Sequence, residues 1–187
     1  MITALDENTA LVLIDLQNGV VKLPPADVVN DILQNVVKLV DAFHIAGLPV
    51  IVVNVNPAYS KFSTSRKDAP PTNKAFFEGD SLDIIPEIKT EPGDIFITKH
   101  TWGAFYETPL DEELKKRNIT GIVLAGISTS IGVEGTARQA SELGYNITFA
   151  KDAMTDSAPE AEERSLKYIF PRLGEVGNTN EIIAQLS

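Results

Sequence analysis

The chain has 187 residues, 43% of them hydrophobic and 22% charged, which supplies one sizeable core and a soluble globular character. A net charge of -10 disfavours nucleic acid and anionic membranes, because both ask for a basic face. The complete lack of cysteine removes disulfides, zinc-thiolate sites and thioester chemistry together.

Residues 1–7 show no basic region leading into a cleavable apolar stretch, and no apolar run reaches the ~20 residues that cross a bilayer. The expectation is a cytoplasmic protein, one domain over residues 1–187, with no membrane or nucleic-acid partner. Ala10 to Ile14 is an uninterrupted apolar run that ends in Asp15. From Asp27 to Ala46, the residues Val29, Leu33, Val36, Val37, Val40 and Phe43 recur at helical spacing, and Gly47 and Pro49 supply the stop. Val50 to Val53 is β-branched and apolar throughout, as a strand buried on both faces should be.

Residues 56–81 break this rhythm with Pro57, Pro70, Pro71 and Gly79. This long excursion concentrates Lys61, Arg66, Lys67 and Lys74 in an acidic chain, so it reads either as cover for a site that receives an anion or as a solvated loop. Asp94 to Thr98 is a strand leading to Lys99. Thr108-Pro109-Leu110-Asp111 opens a helix to about Arg117, with Thr108 as cap and Pro109 in the first position. The strand Gly121 to Ala125 precedes a helix from Ile131 to Leu143, stopped by Gly144, and then the strand Ile147 to Ala150. Pro159 starts a helix through Phe170, Gly174 to Gly177 form a last strand, and Thr179 caps a terminal helix. Strands alternating with helices imply parallel neighbours joined by right-handed crossovers. The predicted fold is a three-layer α/β/α, Rossmann-like domain with a mostly parallel sheet.

Parallel sheets present ligands to the carboxyl ends of their strands, and three of these strands end in polar groups: Asp15, Lys99 and the loop Gly126 to Gly132. A carboxylate there is raised in pKa by burial and lowered by an ammonium, so Asp15 beside Lys99 is a tunable proton-transfer group. Taken alone, Asp15 reads equally as the cap of the following turn. Lys99 leads into His100-Thr101-Trp102-Gly103-Ala104-Phe105, whose aromatic residues suit the wall of a small-molecule pocket, although a lone lysine is usually surface decoration. Ser128, Thr129 and Ser130 enter a helix where free N–H groups favour negative charge, or simply cap it. The two histidines, His44 and His100, form no metal cluster, and His100 is expected to be a satisfied structural side chain. No glycine-rich dinucleotide or triphosphate motif follows the first strand, so neither metal nor cofactor is expected.

Three blocks carry a resemblance: Leu13-Ile14-Asp15-Leu16-Gln17-Asn18; Thr98-Lys99 with Ala104-Phe105 and Thr108-Pro109-Leu110; and Gly126-Ile127-Ser128-Thr129-Ser130-Ile131-Gly132-Val133-Glu134 with Thr136-Ala137-Arg138. Together they resemble the isochorismatase-like hydrolases of the cysteine hydrolase superfamily. Such a resemblance implies an active site of aspartate, lysine and, in most members, a cysteine nucleophile, here at Asp15, Lys99 and Gly132. It further implies a non-proline cis peptide between Ile127 and Ser128, a substrate lined by Gln17, Trp102, Phe105, Ile127, Ser128, Ser130 and Ile131, and a homo-oligomer, dimer or tetramer. Glycine at position 132 has no nucleophilic atom, which closes the thioester route, and Asn54-Val55-Asn56 stands where nicotinamidase-like members carry a metal motif.

True isochorismatases also carry glycine there and cleave a vinyl ether. By that likeness Asp15 is a general acid on a small carboxylated or carbonyl-bearing molecule, with Lys99 and the Ser128 to Ile131 amides orienting carboxylates. His100-Thr101-Trp102-Gly103 does not match the arginine- and tyrosine-bearing segment of isochorismate-specific members. Two alternatives stand beside it: a hydrolase using Ser128 or Ser130 as nucleophile, and a non-catalytic binding or assembly protein of the same fold.

Overall fold

In the computed structural model, which describes residues 2–59, 66–68 and 77–186, the strands form one six-stranded sheet in the order β3-β2-β1-β4-β5-β6. They are β1 (Thr9–Ile14), β2 (Val50–Val55), β3 (Ile95–Lys99), β4 (Gly121–Ile127), β5 (Asn146–Thr155) and β6 (Glu175–Gly177). Every neighbouring pair is parallel. The chain runs outward from β1 to β3, returns to β4 on the other side of β1, and runs outward again. The strand order therefore reverses between β1 and β4, and at that reversal an α/β sheet opens a crevice at the carboxyl ends of its strands.

Side chains alternate across β1, and both faces are covered. Leu11 and Leu13 pack with Val36, Leu39 and Phe43 of α1 (Ala26–Ile45) and Ile182 of the short terminal helix Thr179–Ile183. Ala10, Val12 and Ile14 pack on the other face with Leu110 and Leu114 of α2 (Leu110–Lys116) and Ala137 and Ala140 of α3 (Glu134–Glu142). This double burial is the reason the central strands read as unbroken apolar runs. Among the described residues no helix is long and apolar enough to cross a membrane.

Several boundaries differ from the sequence expectation. The strand expected over Ile147 to Ala150 extends to Thr155, past Lys151 and Asp152, because a register shift opposite Leu124 and Gly126 lets pairing resume after the polar interruption. The helix expected from Ile131 opens with a wide π-type turn, Thr129–Val133, in which Val133 N–H reaches back to Ser128 O at 3.1 Å. The helix after Pro159 is α-helical only to Arg164 and then widens over Ser165–Ile169.

The terminal helix is capped by Asn178, not Thr179. Asn178 and Glu181 form a capping box, while the Thr179 N–H and hydroxyl donate to Asp152 Oδ1 at 2.7 and 2.9 Å. The helix expected to have Pro109 in its first position instead starts at Leu110 with Pro109 as its N-cap, and Thr108, one residue further out, accepts the Leu110 N–H at 3.3 Å. Of the basic residues in the 56–81 excursion, Lys61 and Lys74 lie outside the described residues, and Arg66 and Lys67 are exposed.

Candidate active site

Asp15 leaves β1 in the left-handed region, at φ 53°, which turns its side chain out of the strand alternation and over the carboxyl end of the sheet. Its N–H donates to Val53 O at 2.9 Å, so β2 holds the turn. Gln17 completes the frame. Its amide donates to Val55 O (3.1 Å) and Leu82 O (2.9 Å) and accepts from Val55 N–H (2.8 Å), joining β1, β2 and the segment before β3 through one buried side chain.

Lys99 is the last residue of β3, paired in register with Val55 of β2, and its stem reaches across β2 to Asp15. Its Nζ lies 2.7 Å from Asp15 Oδ2 and also donates to Trp102 O at 2.9 Å and Thr101 O at 3.2 Å. An ammonium has three N–H donors, and all three are therefore engaged. Asp15 is 5% and Lys99 2% exposed. Burial pushes the Asp15 carboxyl up to about 6, against the lowering effect of Lys99. Oδ2 is committed to Lys99, whereas Oδ1 is buried without a hydrogen-bond partner.

Gly132 closes the third side. A Cβ built there would lie 2.9 Å from Ile14 Cγ2, 3.2 Å from Asp15 Oδ2 and 3.5 Å from Lys99 Nζ. The three positions distant in sequence thus meet at one point, and the loop that brings Gly132 there contains a cis peptide between Ile127 and Ser128. Asp156, at the end of β5, accepts both the N–H and the hydroxyl of Ser130 at 2.8 Å and the N–H of Ala158 at 3.0 Å. Nearby Glu162 has its carboxyl raised, mainly by burial, and accepts from the Thr155 hydroxyl at 3.4 Å. Asp156 escaped the sequence reading because an acid before Ser157-Ala158-Pro159 resembles an ordinary helix cap. The signal was its place at the end of an apolar strand, the same place as Asp15.

The remaining expected residues divide. Ile127 is the last residue of β4 and fully buried, whereas Ser128 and Ile131 lie in the same turn as Gly132, with Ile131 39% exposed. Ser130 is held by Asp156, with its hydroxyl engaged there and not with Lys99 or Asp15. The segment after Thr101 lies along α3, where Ala104 N–H donates to the Thr136 hydroxyl (3.1 Å) and Phe105 N–H to Gln139 Oε1 (3.0 Å). Trp102 is exposed, whereas Phe105 stacks on Tyr145 with ring centroids 5.7 Å apart, facing the core of that layer. His100 Nδ1 pairs with Asn56 O at 2.7 Å, and His44 Nε2 with Asp94 Oδ1 at 2.8 Å. Among the described residues no group of three acidic, histidine or cysteine side chains is arranged to hold a metal. An open groove of 580 Å³ beside the helix starting at Pro159, lined by Lys151, Glu163 and Lys167 among others, contains neither Asp15 nor Lys99.

Residues 9–181 match the family described as Isochorismatase domain. The chain belongs to the isochorismatase family. It is 38% identical over 182 residues to YwoC of Bacillus subtilis (strain 168), an isochorismatase family protein, with 96% of this chain and 95% of that one covered. A solved isochorismatase family protein from Burkholderia thailandensis superposes with a TM-score of 0.90 at 38% identity, covering 100% and 99% of the two chains. RutB of Acinetobacter baylyi, a ureidoacrylate amidohydrolase, is 29% identical across 95% of this chain and 83% of its own. This isochorismatase family member is a hydrolase with a three-layer α/β fold and no cysteine.

Proposed function

We propose that this isochorismatase family hydrolase cleaves a vinyl ether in a small carboxylated or carbonyl-bearing molecule, with Asp15 as the general acid and no covalent intermediate. The observation that carries the proposal is Asp15 Oδ1: a buried, unpartnered carboxyl oxygen on a group raised to about 6. An acid tuned near the working pH is both protonated often enough and acidic enough to transfer its proton.

The Asp15 proton adds to the terminal carbon of the enol ether, and the double-bond electrons form the new C–H bond. The oxocarbenium ion so formed takes up water, whose excess proton returns to the Asp15 carboxylate. The hemiketal then breaks its C–O bond to give a ketone and an alcohol, and the net change is addition of one water. Lys99 is a positioning residue in this scheme. With its three N–H groups engaged it orients Oδ2 and leaves Oδ1 to the substrate, and no donor remains on it for a substrate carboxylate. Ser128, Ile131 and Trp102 contact the substrate, while Gln17, Phe105, Ile127 and Ser130 hold that surface in place. The proposal includes a cytoplasmic location and a homo-oligomeric state, the latter checked by light scattering.

Purified protein supplied with isochorismate and related enol ethers tests the chemistry. Turnover by the unaltered protein and a loss of roughly 100-fold or more in Asp15→Asn is the expected outcome. Equal turnover by both proteins removes Asp15 from the reaction.

A further inference from the structure

The Lys99 ammonium is only as fixed as the backbone it grips. Its Nζ donates to the carbonyls of Thr101 and Trp102, and residues 100–109 form neither strand nor helix. The N–H groups just beyond those carbonyls find their acceptors on α3. Ala104 N–H donates to the Thr136 hydroxyl at 3.1 Å, and Phe105 N–H to Gln139 Oε1 at 3.0 Å.

Thr136 is fully buried, as is Ala104. A hydroxyl has one proton to give and lone pairs to receive others. The Thr136 proton goes to Gly132 O at 2.7 Å, four residues back, a bond that threonines in helices commonly make. That commitment leaves the oxygen only lone pairs to offer, and the Ala104 N–H meets one of them. A single buried oxygen therefore joins the carbonyl of Gly132 to the segment whose own carbonyls hold Lys99. A threonine that merely back-bonds along its helix has no such second partner, and removing this one strands a buried N–H. Two glycines permit the close approach. A Cβ on Gly135 would lie 3.3 Å from both Gly103 N and Trp102 Cβ, and a Cβ on Gly103 would overlap Gln139 Oε1 at 2.1 Å.

We propose that Thr136 is a positioning residue for the reaction at Asp15: its hydroxyl, with Gln139 beside it, fixes residues 101–105 on α3 and so holds the Lys99 ammonium against Asp15 Oδ2 and in line with Gly132. The proposal rests on Asp15 and Lys99 being the working pair, and its first test reads their geometry without turnover.

Carboxyl-carbon NMR of Asp15 and urea midpoints are recorded for three variants. Thr136→Val keeps the shape and removes the hydroxyl, and Thr136→Ser keeps the hydroxyl. Thr179→Val removes a buried hydroxyl contact to Asp152 beside the other face of the sheet. In Thr136→Val the ammonium loses its anchored acceptors, so the Asp15 titration moves to higher pH, in the same direction as with Lys99→Met and by less. With whichever enol ether is turned over, kcat falls roughly tenfold or more while KM changes little. Thr136→Ser behaves as the unaltered protein does, and Thr179→Val loses stability with neither change.

An Asp15 titration unmoved in Thr136→Val overturns the proposal. So does a Thr136→Ser variant no better than the valine, or an equal move in Thr179→Val, which would mark general loosening. If the valine variant does not fold, Gln139→Ala at the half-buried neighbour gives the same reading: a smaller move in the same direction supports the tether, and none overturns it. A titration that moves as expected in a protein that turns over no enol ether leaves the tether standing and removes the reaction assigned to the site.

Discussion

Lys99 Nζ lies 2.7 Å from Asp15 Oδ2, while its other two protons go to the carbonyls of Trp102 and Thr101. The ammonium is therefore dedicated to one carboxyl oxygen. It keeps that oxygen from rotating and leaves the other, Oδ1, buried without a hydrogen-bond partner. Substituting Lys99→Met removes the charge that lowers the Asp15 pKa, so the carboxyl should titrate above its present value of about 6. Carboxyl-carbon NMR across pH 4–9 reads the shift directly. A downward movement would refute the assigned roles of burial and charge.

The pH dependence of catalysis has a definite sign. A general acid with a pKa near 6 loses its proton above that pH, so kcat/KM should fall about tenfold per unit on the alkaline side. Were Asp15 a base activating water toward an amide carbonyl, the same group would give a rate that rises through pH 6. A single pH profile separates the two.

Stability follows the same group. Its folded pKa, about 6, lies above the ordinary value of 3.8, so between these values the folded state holds a proton that the unfolded state has released. The Asp15 contribution therefore declines as pH rises from about 4 to about 6 and is flat above, amounting to roughly 3 kcal/mol at ~1.4 kcal/mol per pKa unit. Urea midpoints compared between the unaltered protein and Asp15→Asn over this window should diverge as pH rises. Parallel curves would show that Asp15 does not titrate there.

Gly132 is not simply a cysteine with its side chain removed. A Cβ at that position meets the Ile14 methyl at 2.9 Å and Asp15 Oδ2 at 3.2 Å, so the surroundings fit glycine. Gly132→Ala should cost about 1–3 kcal/mol through overpacking and displace the Asp15 carboxyl, with activity lost in step. For the same reason Gly132→Cys should not yield a thioester-forming enzyme, a point that mass spectrometry of the protein with an amide substrate checks.

Asp156 holds the Ser128 to Gly132 loop through the N–H and hydroxyl of Ser130. Asp156→Ala leaves those donors without their acceptor and should destabilise the fold by about 1–3 kcal/mol while lowering kcat more than it raises KM. Ser130→Ala should be milder, because the backbone N–H bond survives, and a serine-reactive probe should leave no adduct. Labelling at Ser130 would revive the serine nucleophile.

Most of the scaffold is legible in the linear sequence. The apolar runs before Asp15 and Gly126 are strands because burial on both faces demands continuous apolar side chains, the edge strand before Lys99 leaves Phe96 exposed, and Gly47 and Gly144 end helices where the chain must turn. The polar residues that follow those runs are the ones the fold brings together as the candidate site. Less legible were features set by contacts between elements: β5 passes Lys151 and Asp152 because β4 shifts register opposite it, and Asn178 rather than Thr179 caps the last helix because Glu181 answers it.

Periodicity and the residues at strand ends, both properties of neighbours in the chain, sufficed for the layered α/β architecture and for the nomination of Asp15, Lys99 and Gly132. Which oxygen of Asp15 is left without a hydrogen-bond partner, that Lys99 has no donor left, that Phe105 turns to Tyr145 while Trp102 faces outward, and that Ile14 crowds position 132 were decided only when distant strands came together. Burial and hydrogen-bond saturation are sums over neighbours in space, and linear order alone does not contain them.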